Sequence, residues 1–492
     1  MTNTAYETII GLEVHVQLQT GTKLFCRCST SFGAEPNTQT CPVCIGMPGS
    51  LPVMNQKAYA LGLKTAVALN CRIPEFTKWD RKQYFYPDLP KGYQISQFDL
   101  PMSEHGWLEI SDPKGAFETK KIGITRAHLE DDAGKSMHDE AAGKSDSRID
   151  LNRTGTPLLE IVSDPDLRSA DEARAYLTEL KLILTYLGVS DCNMQEGSLR
   201  VDANINLHIP SGDRTVATPI VEVKNMNSFR AVERALLYEA GRQIEAWHTN
   251  PVELGSPGGH KTTRGWDDQL QITRIQRQKE ESSDYRFFPD PDLLPVTATA
   301  DDVAAVRGQL GELPAALRVS LVKKHRIDEY DAHVLVNQGR PLVDYFEDLA
   351  AASGDGKRAS NWVQQDILRL LNEMGETIEQ FPVKASALGE LLKSIGAGDI
   401  DNTRAKDVLQ EMVDSQSTAA DAMVALGIEK VDASDLESLC QELLEANPAI
   451  VADLKAGKRK AVGALIGQAK KKNPNVNPAQ IKSICMELVN KM

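Results

Sequence analysis

The 492-residue chain is 41% hydrophobic and 25% charged, the composition of an ordinary soluble globular protein with room for two to four domains. Its formal charge of -14 argues against wholesale electrostatic binding of nucleic acid, with one local exception: the segment Lys455–Lys472 holds seven basic residues and no acidic one. The longest apolar runs, such as LKLILTYLG, fall well short of the roughly 20 residues a membrane span needs, and MTNTAYETIIGLEVHV has no basic region leading into an apolar core, so a cytoplasmic location is expected.

In chain order, IIGLEVHVQL alternates strictly, with Leu12, Val14, Val16 and Leu18 on one side and Glu13, His15 and Gln17 on the other. GSLRVDANINLHI repeats the pattern, setting Leu199, Val201, Ala203 and Ile205 opposite Arg200, Asp202 and Asn204, and PIVEVKNMNS puts Glu222 and Lys224 on one face. Period-two alternation predicts half-buried strands. Between them, Ser169 with Glu172 forms a capping box, Leu177, Leu180, Leu184 and Leu187 make an apolar stripe, and Gly188 ends the helix. A second helix, FRAVERALLYEAGRQIEAW, starts after Asn227-Ser228. The expected fold is α+β with a large, mainly antiparallel sheet over residues 1–295. From about residue 300 the period becomes helical, and a polar stretch near IGAGDIDNTRAKD marks a boundary, giving a helical domain over 296–404 and a helical tail domain over 405–492.

Four of the eight cysteines lie in LFCRCSTSFGAEPNTQTCPVCIGMPG. Cys26-x-Cys28 followed by Cys41-x-x-Cys44, closing a short Gly/Pro-rich loop, predicts a zinc knuckle, ahead of a redox pair or unrelated thiols. Four thiolates leave no open coordination position, so the metal is expected to staple the loop and take no part in chemistry. Cys71, Cys192, Cys440 and Cys485 are scattered and read as small buried hydrophobes.

Chemistry is expected on the polar strand faces. Glu13 and His15 stand two apart, His128 and Glu130 repeat that spacing, Asp131 and Asp132 follow, and Glu160, Glu196 and Glu222 come from other strands or their ends. Carboxylates with one or two imidazoles suit Mg²⁺ or Mn²⁺ and phosphate chemistry, although each residue alone is as readily a solvated strand face. DAGKS and AAGKS lack the first glycine of a phosphate loop, and there is no dinucleotide glycine fingerprint and no G-x-S-x-G elbow. Nothing reads as a glutamine-cleaving nucleophile, so any ammonia used must come from another protein.

The motifs IGLEVHVQL, FGAEPNTQTCPVCIGMPGSLPVMN, DRKQYFYPDLPKGYQISQ, RAHLEDDAGKS, DLNRTGTPLLEIVSDPDL, EGSLRVDANINL, EVKNMNSFRAVERAL and DYRFFPDPDL together resemble the B-subunit family of the aspartyl/glutamyl-tRNA amidotransferases, in order and over essentially the whole chain. LKAGKRKAVGALIGQAKKK resembles that family's C-terminal tRNA-binding domain. The resemblance implies a cradle-shaped kinase and transamidase domain. With ATP and Mg²⁺ it phosphorylates the side-chain carboxylate of Glu misacylated on glutamine tRNA, or of Asp on asparagine tRNA. Ammonia from an amidase A subunit displaces the phosphate, and a small C subunit completes a heterotrimer. Carried over residue by residue, Glu13, His15, Glu130, Asp131 and Glu222 are magnesium ligands, and Cys26, Cys28, Cys41 and Cys44 hold zinc. Lys82, Tyr84, Asn152, Arg153, Lys224, Asn225 and Ser228 line the ATP and acyl-acceptor pocket, with Glu13, His15, Lys82, Glu130, Arg153 and Glu222 as the catalytic set. Lys455, Lys458, Arg459 and Lys460 contact tRNA and open a helix-like segment whose interior, AVGALIG, is small and apolar. An archaeal-type two-subunit relative carries a synthetase-like insertion before its helical region; here DYRFFPDPDLLPV runs directly into helices. A non-catalytic, zinc-stapled tRNA scaffold is disfavoured by the clustered acids.

Overall fold

The structure, a computed structural model, describes residues 5–138, 147–278, 284–429 and 431–491. By compactness it divides into two units, Met1–Ala316 and Leu317–Met492. No helix among the described residues is long and apolar enough to cross a membrane.

The first unit is built on a nine-stranded sheet. The elements used below are strands β1 (Glu7–Gln17), β2 (Asp80–Gln83), β3 (Tyr93–Ser96), β4 (Glu104–Ile110), β5 (Lys120–Asp131), β6 (Pro157–Ser163), β7 (Leu199–Ser211), β8 (Arg214–Ala217), β9 (Val221–Met226), β10 (Thr262–Asp267), β11 (Ile272–Gln278) and β12 (Phe288–Pro289). The large sheet runs β11-β10-β9-β7-β1-β6-β5-β4, with β8 paired beside β7. Its pairs are antiparallel except β9 with β10, which are parallel, so the sheet is mixed. A second small sheet orders β12-β2-β3.

The alternation seen in the sequence decides which face each side chain takes. Ile10, Leu12, Val14 and Val16 of β1, Leu159 and Ile161 of β6, and Val201, Ala203 and Ile205 of β7 are buried in one core with the apolar stripes of three helices, α1 (Gln56–Ala68), α2 (Ala170–Tyr186) and α3 (Phe229–Thr249). Helix α2 starts as its sequence predicts: Ser169 Oγ accepts from the Glu172 N–H. The return bond of the box goes elsewhere, because Glu172 Oε2 accepts from the Arg168 N–H and from Lys120. Gly188, at φ +63°, turns the chain out of the helix. With the helices on one face, the polar residues of β1, β5, β6, β7 and β9 are left on the other.

The second unit is helical throughout its regular structure. Its last part has its own core, in which Leu436, Leu443, Leu465 and Ile481 pack with Cys440 and Cys485. Cys71 and Cys192 are likewise buried in the first unit. The basic segment is not one helix. Lys455 ends the helix Pro448–Lys455, Gly457 at φ +84° breaks the path, and Arg459–Ala461 form a single 3-10 turn before the helix Val462–Lys472. In that helix Val462, Leu465 and Ala469 are buried while Gly463, Ala464 and Gly467 are exposed.

Candidate functional site

Strand register assembles the site. On the helix-free face His128 of β5 stands opposite Glu160 of β6, Glu160 opposite His15 of β1, and His15 opposite Arg200 of β7, one polar row across four strands. Two residues along β1, Glu13 faces Asp202. Glu222 of β9 lies between Asn204 of β7 and Thr263 of β10. All of these except Asn204 line a cavity of about 610 Å³, together with Lys82 and Tyr84 at the end of β2, Glu130, Asp132, Arg126, Lys224, Tyr86, Tyr285 and Phe287.

His15 is the hub. Its Nε2 lies 3.4 Å from Glu13 Oε1, 3.4 Å from Glu160 Oε2 and 3.9 Å from Glu130 Oε1. Burial disfavours its charge, but the hydrogen bond and charge of Glu160, with the charges of Glu130 and Glu13, prevail and raise it to about 9. His128, fully enclosed, is pushed down to about 4 by burial. At neutral pH the charge beside Glu160 is therefore that of His15. Burial, then the neighbouring Glu160 charge, lifts Glu130 to about 7, and the same two causes raise Glu13. Asp132 goes the other way. Against the cost of burial, Arg200 (2.8 Å) and Arg153 (3.6 Å) hold it below the usual carboxylate range.

Six carboxylates line the cavity against four Lys/Arg side chains and the charged His15, and Glu130, Asp132, Glu160 and Glu222 sit at buried positions where an unpaired charge is costly. Two donor sets meet the spacing for a shared cation: Glu13, His15 and Asp202, and His15, Glu130 and Glu160, each with its ligand atoms within 4.8 Å of one another. Oxygen-rich donors with one imidazole fit a hard divalent ion, and the raised protonation of Glu130 and Glu13 is what such an ion would relieve.

Of the residues singled out from the sequence, Glu13, His15, Lys82, Tyr84, Glu130, Glu222 and Lys224 line this cavity. Others do different work. Asp131 points to the opposite face of β5, where Lys91 and the Ile95 N–H (2.7 Å) take its carboxylate; strand alternation sends its neighbours Glu130 and Asp132 to the cavity instead. Arg153 donates to the carbonyls of Ala133 and Gly134, bracing the turn that carries Asp132. Asn152 is tied to the cysteine loop, accepting from the Gln39 N–H and donating to the Glu35 carbonyl. Ser228 caps α3 through the Ala231 N–H, and Asn225 is exposed at φ +64°. Glu196 sits exposed in a turn. Lys455, Lys458, Arg459 and Lys460 are all exposed, and Lys458 pairs with Asp453 at 2.9 Å. Glu160, Asp132 and His128, named among the clustered polar groups but given no role, also line the cavity, and the residues that sequence reasoning left out of the site are Asp202, Arg200 and Arg126. Arg126 shares the strand parity of His128 and Glu130, and Arg200 and Asp202 share one face of β7; what was missing was knowledge of which strands lie side by side.

The four loop cysteines converge. Sγ–Sγ separations are 3.6 Å for Cys26–Cys44, 3.7 Å for Cys41–Cys44 and 3.9 Å for Cys28–Cys44. A tetrahedron with metal–sulfur bonds of about 2.3 Å has edges of about 3.8 Å, so the cluster fits one zinc ion with all positions filled. An unforeseen residue completes it. Lys23, fully buried, places Nζ 3.4 Å from Cys44 Sγ and donates to the Gln39 carbonyl at 2.7 Å. The Cys26 thiol hydrogen bond, opposed by burial and aided by the Lys23 charge, brings Cys44 down to about 4, so a thiolate is ready at neutral pH.

Residues 8–304 match the family described as the GatB/GatE catalytic domain, and residues 344–489 match the GatB domain family. Among curated proteins, the chain is 61% identical to the B subunit of the aspartyl/glutamyl-tRNA(Asn/Gln) amidotransferase of Rhodopirellula baltica, covering 99% of this chain and 97% of that one. The corresponding B subunits of Carboxydothermus hydrogenoformans (45% identical, 99% of each chain) and Moorella thermoacetica (47%, covering 98% and 99%) are similar over the same extent.

Proposed function

Because this chain belongs to the GatB/GatE family, as a B subunit of the tRNA-dependent amidotransferases, we propose that its β-sheet cavity is where the amide is made. The enzyme is a ligase that takes its amido group from glutamine. In our reading ATP transfers its γ-phosphoryl group to the side-chain carboxylate of Glu esterified to tRNA(Gln), or of Asp esterified to tRNA(Asn). Ammonia then adds to the acyl carbon and phosphate leaves, giving Gln-tRNA(Gln) or Asn-tRNA(Asn). A carboxylate is a poor acyl donor, and phosphorylation turns one of its oxygens into a leaving group.

The observation that carries this reading is the row His128–Glu160–His15–Arg200 in a cavity of about 610 Å³, which joins clustered acids to basic groups. A nucleotide phosphate needs cations, and Lys82, Arg126, Arg200 and Lys224 stand around the cavity. Glu13, His15, Glu130 and Glu160, with Asp202 and Glu222 adjoining, would hold Mg²⁺, which when bound supplies charge neutralisation on the transferring phosphoryl group. Asp132 fixes Arg200, and Asp202 fixes Lys224, so the basic groups are held in place before substrate arrives. Tyr84 Oη donates to Gln94 and carries Lys82 over its ring at 5.9 Å. Zinc in Cys26, Cys28, Cys41 and Cys44 keeps a structural role.

We further propose three domains: a cradle over 1–295, a helical domain over 296–404 and a tRNA-binding tail over 405–492. Lys455, Lys458, Arg459 and Lys460 there meet tRNA phosphates. An amidase A subunit supplies ammonia, a small C subunit completes a heterotrimer, and the assembly works in the cytoplasm. The test uses the purified chain with misacylated tRNA, ATP, Mg²⁺ and free ammonium. Amide and ADP should form in equal amounts, glutamine should not replace ammonium, and His15→Ala should abolish the reaction while tRNA affinity stays within about threefold. Full activity in His15→Ala would move the chemistry elsewhere.

A further inference from the structure

Beside the cavity runs a second groove, of about 420 Å³, that shares Lys82, Tyr84, Tyr86 and Tyr285 with it and adds Phe85 and Arg286. Its walls are aromatic. Tyr84 meets Tyr86 edge-on at 5.9 Å and Tyr285 at 6.1 Å, and Lys82 Nζ lies 5.1 Å from the centre of the Tyr285 ring. Phe85 is 83% exposed and Tyr86 55%, an unusual outlay of apolar surface to water for two adjoining residues. The arrangement is held rigidly. The Gln83 N–H donates to the Tyr285 carbonyl at 2.9 Å, Gln83 Nε2 to the Arg286 carbonyl at 3.2 Å, and the Arg286 N–H to Asp284 Oδ1 at 3.0 Å. Phe85 rests on Gly92, where an added Cβ would come within 3.1 Å of its ring.

We propose that this groove is a stacking shelf for the unpaired nucleotides at the 3′ end of the tRNA substrate, with Phe85 and Tyr86 as its outer face and Arg286 answering the backbone phosphate. The inference rests on the reaction proposed above. In that reaction the amino acid is esterified to the terminal ribose, so its side chain must lie in the cavity while the polynucleotide stays outside. The last bases then cross whatever surface lines the mouth, and the surface here is aromatic and open, with Arg286 at its edge beside Asp284. Aromatic rings take any base by its π-face, and basic side chains follow the backbone without reading sequence. The adenine of ATP would offer the same chemistry, and the KM for ATP separates the two.

The experiment compares the full-length protein with Phe85→Ala and Phe85→Trp. Two probes are used: uncharged tRNA, and the same tRNA trimmed of its three 3′-terminal nucleotides. Phe85→Ala should bind intact tRNA about 10-fold more weakly, the loss of one stacked base. It should match the parent protein on trimmed tRNA, and Phe85→Trp should restore affinity. Because Phe85 is largely exposed, melting temperatures should agree. Three outcomes overturn the shelf: no loss on intact tRNA, an equal loss on trimmed tRNA, or a raised KM for ATP with tRNA affinity unchanged. Amide formation by the parent protein is measured in parallel. Its absence strikes the proposed reaction, whereas its presence with any of those three outcomes strikes the shelf alone.

Discussion

Replacing Lys23 by Met asks what holds the charge of the cysteine loop. Zinc with four thiolates carries a net charge of about -2, and the buried ammonium of Lys23 lies 3.4 Å from Cys44 Sγ. At an effective dielectric of about 20, a unit charge pair at that distance attracts by about 5 kcal/mol. Desolvating the ammonium takes back several kcal/mol, leaving about 2 kcal/mol in favour of the metal-bound loop. Methionine keeps most of the side-chain volume, so packing around Gly155, which the Lys23 stem approaches, is largely preserved. Zinc affinity in Lys23→Met should therefore fall about 30-fold, read by competition against a chromophoric chelator. Thermal unfolding should shift down at limiting zinc and recover at excess zinc. Retention of zinc within about threefold of the parent, with a melting loss that excess zinc does not repair, would refute the electrostatic role and leave Lys23 as a mere hydrogen-bond donor to Gln39.

Glu130→Gln should stabilise the metal-free protein while destroying activity. A carboxyl raised from 4.5 to about 7 in the fold costs nothing below its unfolded value, and its destabilisation grows up to about pH 7 and is constant above. Urea unfolding at pH 8 should show a gain of up to about 3 kcal/mol that fades toward pH 4 and shrinks with excess Mg²⁺; a less stable variant at pH 8 contradicts the burial argument. Cys41→Ser should lower zinc content below one per chain and the melting temperature by several degrees, with turnover per folded molecule preserved. Parent-like melting with collapsed turnover would put zinc in the chemistry. In the tail, Arg459→Ala and Lys460→Ala should each flatten the salt dependence of tRNA binding by a slope of about 1 and raise KM with kcat nearly unchanged. Unchanged slopes would return both residues to the solvated surface.

Local sequence determined a good deal here. The alternation around Glu13 and His15 set the buried face of β1, because a pleat sends successive side chains to opposite sides. The spacing of Cys26, Cys28, Cys41 and Cys44 specified the cluster, since four soft ligands in a short turn-rich loop have few other uses. Ser169 and Gly188 delimited α2. The same parity rule, applied to Glu130, already separates it from Asp131, and Gly457 was a visible break in the basic segment. Only the tertiary structure decided which strands are neighbours. His15 meets Arg200 and Glu160 because β7 and β6 flank β1, a pairing across well over a hundred residues that no window of sequence encodes. Nor did Lys23 announce itself: a lysine is ordinarily a surface residue, and its burial follows from the loop closing over it once the thiolates give its charge a partner.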